Sequence, residues 1–245
     1  MSLALICFDL DNTLWPVDPV IARAESETWR WLAQRAPAVV ARVDVDALRR
    51  RRLALLAAQP GYVHNLTALR RDVMRITLEE GGFGAGEAGL LAQQAMAVFL
   101  EHRNAVTLFP GVVAMLEKLA GEFRLAALSN GNADLHRIGL AHYFDSVHSA
   151  ESVGRAKPDP AMFARALADT GVPAQRALHI GDHPEQDVLA ARAHGLHALW
   201  ANPLQLQRPP QLPAEVADFS EFSRLPALIA QQAAAIAQRT ALEDR

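Results

Sequence analysis

A doubly wound, mainly parallel α/β sheet with an all-helical segment inserted after its first strand is the fold class this sequence predicts, and three observations predict it. Short apolar runs without alternation each stop at polar or glycine-bearing residues, helical periodicities lie between them, and residues 16–107 carry helical pattern with no buried strand. A run that does not alternate is what a strand covered on both faces of a parallel sheet requires.

The first run, residues 3–8, stops at Asp9-Leu10-Asp11-Asn12-Thr13. Three more follow: 124–128 before Ser129-Asn130-Gly131, 177–180 before Gly181-Asp182, and 196–200 before Asn202-Pro203. Between them Val112, Met115, Leu116 and Leu119 keep helical spacing, as do Met162, Phe163, Ala166 and Leu167, and an alanine-rich stretch covers 185–194. Strands alternating with helices imply right-handed crossovers, and such sheets bind ligands outside the carboxyl ends of their strands. The polar clusters at those ends are therefore expected to converge.

Within the insertion Leu66, Leu69, Val73 and Ile76 share one helical face and Leu91, Ala95 and Val98 another, with a break at Gly81-Gly82-Phe83-Gly84. The chain returns at Phe109-Pro110-Gly111, which predicts a core of residues 1–15 and 108–245 and a helical domain of 16–107 placed to close as a lid. The Pro- and Gln-rich segment 205–213 is expected to wrap the surface before a last alanine-rich helix.

The chain has 245 residues, is 51% hydrophobic and 21% charged, and carries a net charge of -3. That balance is globular and speaks against a nucleic-acid partner, leaving a small molecule as the expected one. No run is long enough for a membrane span, the start lacks the pattern of an export signal, and the single Cys7 permits no internal disulfide. The expectation is a cytoplasmic monomer or homodimer.

Asp9 and Asp11 put two hard oxygen ligands at one strand end, suited to Mg²⁺, and a carboxylate there can also act as a nucleophile toward phosphorus. Two acids capping a strand end is the plainer reading of that pair. Asp182 adds a carboxylate at another strand end and would complete a metal site with Asp9, whereas Asp187 and Glu185 equally suit a helix N-terminus. Ser129, Asn130 and Gly131 read either as a cradle for a phosphoryl oxygen or as a glycine turn. Asp159 and Pro160 suit a helix start, which leaves Lys157 unexplained unless its charge serves phosphate and Asp9.

Taken in order, Asp9-x-Asp11-x-Thr13, Ser129, Lys157-Pro158 and Gly181-Asp182 with Asp187 resemble the four motifs of the haloacid dehalogenase superfamily. The resemblance implies a Rossmann-like core with an inserted helical cap. Asp9 would be the nucleophile and a Mg²⁺ ligand; Asp11 would protonate the leaving oxygen, activate water and offer its carbonyl to the metal. Thr13 would support the loop and the substrate, and Ser129, Asn130 and Gly131 would bind phosphate. Lys157 would neutralise phosphate and Asp9, Asp182 would ligate the metal, and Asp187 would assist from behind it.

True dehalogenases of the superfamily lack the second aspartate, so Asp11 implies a phosphatase acting on a small phosphorylated metabolite. A phosphomutase, a haloacid dehalogenase and a non-catalytic binding relative are the alternatives. Ser129-Asn130-Gly131-Asn132-Ala133, Gly154-Arg155-Ala156-Lys157-Pro158, and Trp15, Pro19 and Val20 look like the bacterial branch acting on flavin mononucleotide and the ribitylamino-uracil phosphate. That branch often has Asp at position 12 and Tyr at position 15. Trp15, Trp29 and Trp31 suit core packing better than ring stacking, Arg49 to Arg52 with Arg70 and Arg71 suit a solvated helix face better than a polyanion site, and His183 suits substrate contact or exposure.

Overall fold

The computed structural model describes residues 2–243, with side chains as far as residue 234. Six parallel strands form one sheet: β1 (Leu5–Phe8), β2 (Arg124–Ser129), β3 (Ser146–Ser149), β4 (Ala177–Gly181), β5 (His197–Ala201) and β6 (Asp218–Phe219), in the order β3-β2-β1-β4-β5-β6. The chain builds outward from β1 to β3, then crosses back to β4 on the other side of β1. Such a reversal opens a crevice between β1 and β4 at their carboxyl ends.

Four of these strands are the apolar runs of the sequence. The two others escaped that reading for a physical reason: both are edge strands. Ser146-Val147-His148-Ser149 keeps only His148 buried, and β6 is two residues long. An edge strand needs little apolar surface, so it leaves little trace in hydrophobicity. The central strand β1 is buried at every position, with Leu5 and Cys7 joining Leu128, Phe163 and Trp200 in one core cluster.

The chain divides into two compact units, residues 2–16, 107–131 and 135–243 in the first, and 17–106 with 132–134 in the second. In the first unit, helices α6 (Val112–Ala120), α7 (Leu135–Ile138), α8 (Ala150–Val153), α9 (Ala161–Thr170), α10 (Ala190–Ala193) and α11 (Leu225–Glu243) accompany the sheet. The segment read as one alanine-rich helix begins as a π-helical turn, Pro184–Leu189, before α10. The last helix runs as the alanine-rich pattern predicts, but its side chains from 235 onward lie outside the described residues.

The second unit is helical: α1 (Val17–Ala33), α2 (Pro37–Val40), α3 (Val45–Ala58), α4 (Leu66–Glu80) and α5 (Ala85–Arg103). Its core is turned somewhat from the expected faces. Helix α4 buries Leu69 and Val73 together with Met74, Thr77 and Leu78, leaving Ile76 half-exposed. Helix α5 buries Ala88, Ala92 and Ala95 with Met96 and Phe99, and not Leu91 or Val98. A stripe of alanine lets neighbouring helices approach closely, a gain that hydrophobicity alone does not register. Among the described residues no helix is long and apolar enough to cross a membrane.

Candidate active site

Parallel registry brings the distant motifs together. Phe8 lies beside Ile180, and the Asp9 amide donates to the Ile180 carbonyl at 2.8 Å, so Asp9 and Asp182 leave adjacent strand ends at the crevice. Beyond Asp9 the chain turns back on itself. Asn12 adopts a left-handed conformation, φ 58°, which asparagine tolerates better than most residues, and its amide donates to the Trp15 carbonyl. The tight turn swings the buried Thr13 hydroxyl under Asp9, where it donates to Oδ2 at 3.2 Å and lies 3.5 Å from Asp182 Oδ1.

Lys157 sits at the centre, 2% exposed. Its three ammonium protons have three acceptors: Asp9 Oδ1 at 2.8 Å, Asp187 Oδ1 at 2.5 Å and the Leu128 carbonyl at 2.7 Å. Its backbone is pinned as firmly. The Asn130 amide accepts from Lys157 N at 2.7 Å and donates to Lys157 O at 2.9 Å, and its Nδ2 also donates to Gln186 Oε1. Asn130, expected at the phosphate, thus commits its side chain to holding the lysine loop. Ser129 is buried, and its Oγ accepts the Gly131 amide at 3.0 Å, which is the geometry of a turn lying beside the crevice.

Oxygen atoms of Asp9, Asp182 and Asp187 lie within 4.8 Å of one another. Crowding shows in their protonation. Burial, and then the neighbouring carboxylates against the pull of Lys157, raises Asp9 well above the ordinary range. Burial and the Asp187 charge push Asp182 up to about 7. Burial would raise Asp187 too, but the Lys157 charge and the His179 contact outweigh it and hold its carboxyl well below the usual range. Two carboxylates that resist ionisation beside a third that does not make a donor set that a hard divalent cation relieves, so the residues fit such an ion.

The carboxylate of Asp11 stands apart from this trio and accepts the Trp15 indole N–H at 2.9 Å. Trp15 is fully buried, so it orients Asp11 and offers no stacking surface. His183 is a local cap: its Nδ1 accepts the Glu185 and Gln186 amides, while its own amide donates to Asp187 Oδ2 at 2.9 Å. Two contributors gave no chemical signal in the sequence. His179 lies inside β4 at 0% exposure with Nε2 3.0 Å from Asp187 Oδ1, and Trp200 donates to the Asp182 carbonyl at 2.7 Å. Both read as strand residues, and only the neighbouring strand's register reveals what they touch.

Gly181 explains itself by space. A Cβ at this position would meet Asp187 Cγ at 2.3 Å, so the carboxylate packs directly on the glycine backbone. Gly181→Ala is expected to displace Asp187 and cost about 1–3 kcal/mol of unfolding free energy by overpacking. Chemical denaturation of the two proteins measures this.

A haloacid dehalogenase-like hydrolase profile matches residues 3–195. The chain is 33% identical over 201 residues to the 5-amino-6-(5-phospho-D-ribitylamino)uracil phosphatase YigB of Escherichia coli (strain K12), covering 82% of this chain and 84% of that one. It is 39% identical over 139 residues to the phosphoserine phosphatase of Thermus thermophilus, with 54% of each chain covered. Among solved structures it superposes on a 2-haloacid dehalogenase from Pseudomonas syringae pv. Tomato DC3000 with TM-score 0.87 and 41% identity, over 94% of this chain and 100% of that chain. With motif order, sheet topology and profile in agreement over most of its length, the chain belongs to the haloacid dehalogenase-like hydrolases.

Proposed function

We propose that the protein is a magnesium-dependent phosphatase that cleaves a small phosphate monoester through an aspartyl-phosphate on Asp9. One observation carries the reading: Asp9 faces a fully buried lysine at 2.8 Å within a trio of carboxylates whose oxygens lie within 4.8 Å. That arrangement neutralises a dianionic group at the point where a carboxylate oxygen can attack it in line. Held by Asp9 and Asp182 with Asp187 beside them, Mg²⁺ would neutralise phosphoryl oxygens and fix their orientation.

The chain's own residues perform the steps. Asp9 attacks phosphorus, the ester P–O bond breaks, and Asp11, oriented by Trp15, gives its proton to the leaving oxygen. Asp11 then takes a proton from water as that water attacks phosphorus, and the bond to Asp9 breaks with release of inorganic phosphate. Lys157 pulls against the burial that favours the neutral form of Asp9 and so lowers the cost of its attacking as an anion, and Ser129 and the Gly131 amide flank the transferred group. Acid–base help of this kind is worth roughly 10²- to 10⁴-fold.

The likeness to a solved 2-haloacid dehalogenase favours a second reading, displacement of halide by Asp9. A halide leaves without a proton, so that chemistry gives no task to Asp11 or to a cation. The test is direct: purified protein with Mg²⁺ is expected to release phosphate from p-nitrophenyl phosphate and no halide from 2-chloropropionate. The opposite pattern overturns the phosphatase reading. The likeness to the ribitylaminouracil phosphatase supports a riboflavin-pathway phosphate or flavin mononucleotide as substrate, and a panel including both, phosphoserine and nucleotides is expected to rank them first.

The raised Asp182 gives a test independent of turnover. Its folded pKa lies near 7, above the ordinary carboxylate value, so without metal the native state keeps a proton that the unfolded chain has lost. The associated stability is present in acid and disappears as pH rises through about 7. A cation that replaces the proton restores it. The increase in Tm on adding Mg²⁺ is therefore expected to be larger at pH above that value than below it, measured by thermal melts with and without EDTA.

A further inference from the structure

The helical unit contains a second concentration of chemistry. Glu25 on α1 is 6% exposed and serves three guanidinium groups. Its Oε1 accepts from Arg52 at 2.5 Å and from Arg70 at 2.8 Å, and its Oε2 accepts from Arg49 Nε at 2.8 Å. The arginine run expected to be a solvated face is therefore partly turned inward. Arg49 and Arg52 lie one turn apart on α3, so both reach Glu25, while Arg51 reaches Thr77 and Glu80.

Beside this cluster opens a cleft of about 570 Å³ within α1, α3 and α4, lined by Arg49, Arg52 and Arg70 and by Leu53, Leu56 and Leu66, with Asp18 also on its wall. Glu25, Arg52 and Arg70 also line a second, small space of about 40 Å³. Arg49 has a second carboxylate, Asp46 at 3.0 Å, but Arg52 and Arg70 share Glu25 as their one ion-pair partner among the described residues. Arg52 and Arg70 thus place two cations on one carboxylate at the wall of the cleft, which Glu25 also lines. Burial first and the Arg52 charge second lower the Arg70 pKa to about 10. Arg70 is held in place besides, its guanidinium 4.3 Å over the Phe99 ring.

The cleft opens directly on this shared cation pair, with apolar side chains beside it. We propose that the helical unit has a binding site of its own for a small organic anion, an apolar body ending in a carboxylate or phosphate, with the charged end against Arg52 and Arg70 and the body along Leu53, Leu56 and Leu66. Arginine presents a planar fork of donors to such oxygens, and a cleft of this volume suits a metabolite. The site uses no residue of the carboxylate trio.

Calorimetric titration of the full chain with 4-phenylbutyrate and with phenylphosphonate tests it, and needs no turnover, so its failure is distinct from failure of the phosphatase reading. Saturable binding is expected, weakened at least about ten-fold in Arg70→Gln and in Arg52→Gln. Glu25→Gln is expected to tighten it about three-fold or more, because the competing carboxylate is gone. A merely structural cluster would give no tightening in that variant. Circular dichroism checks folding of each variant, and two arginine variants keep the test open should one of them unfold.

No binding by the wild type to either probe, equal affinity in the arginine variants, or weaker affinity in Glu25→Gln each overturns the proposal. The two sources of such an anion separate in kinetics. A probe that raises KM for p-nitrophenyl phosphate without changing kcat marks the site as taking part of the substrate, and one that changes kcat marks it as taking a separate effector; both support the site.

Discussion

Asp9→Asn is expected to reduce phosphate release by on the order of 10⁴-fold or more, since no other group can take over a covalent step. The fold is expected to survive, because the amide keeps the shape of the carboxylate and its one oxygen can still accept from Lys157, 2.8 Å from Asp9 Oδ1, while the Thr13 hydroxyl, 3.2 Å from Oδ2, can turn to accept from the amide nitrogen. Steady-state assay with p-nitrophenyl phosphate gives the rate, and circular dichroism gives the fold. Stability carries its own sign. Asp9 is raised by burial and crowding, so a neutral amide relieves repulsion in the metal-free protein. The variant is therefore expected to be no less stable without metal and to gain less from Mg²⁺. Loss of activity together with loss of fold would leave the residue a structural one.

Lys157→Met is expected to be the most damaging substitution in the chain, removing activity and stability together. The lysine is almost fully buried and its folded pKa lies above the ordinary value, because Asp187 and Asp9 together outweigh the burial that would lower it. Removing the ammonium leaves two carboxylates buried without their shared cation, a change that costs roughly 3–5 kcal/mol. The pH dependence fixes the cause. With the lysine present Asp187 is depressed, so its contribution is in place above the unfolded value near about 3.9 and is lost as pH falls through its folded pKa. The deficit of the variant is thus expected to be largest at neutral pH and to shrink in acid, where both carboxylates take up protons. Denaturation at neutral and acid pH compares the two proteins, and a pH-independent deficit would point to lost packing alone.

These two residues were also the most legible. Apolar runs ending in acids placed Asp9 and Asp182 at two strand ends expected to converge, and Lys157 stood out because capping explained Asp159 and Pro160 but not it. What the sequence concealed has a common physical origin, namely that a side chain's partner is set by packing between distant segments. Asn130 reads as a phosphate-loop residue, yet its amide matches the two backbone groups of Lys157 across 27 positions. His179 sits in an apolar strand where a histidine signals nothing until β4 lies under Asp187. Trp15 reads as core, and it is core, but its one polar atom fixes Asp11. Glu25 is the extreme case: an unremarked acid on an amphipathic helix becomes the partner of three arginines from α3 and α4.

The fold shows the same division. Strands covered on both faces announce themselves by composition, whereas β3 and β6, at the edges, do not. The helical unit was legible as helical throughout, but the alanine stripe of α5 hid its buried face, since small residues contribute by letting backbones approach rather than by hydrophobicity.

The central claim is that phosphate passes through a bond to Asp9. Acid-quenching the protein during turnover of a phosphate ester and sequencing its peptides by mass spectrometry tests this most directly. The expected result is the mass of one phosphoryl group on Asp9, labile to hydroxylamine and absent in Asp9→Asn. Turnover with an unmodified Asp9 in every quenched sample, or the phosphoryl group on another residue, would contradict it.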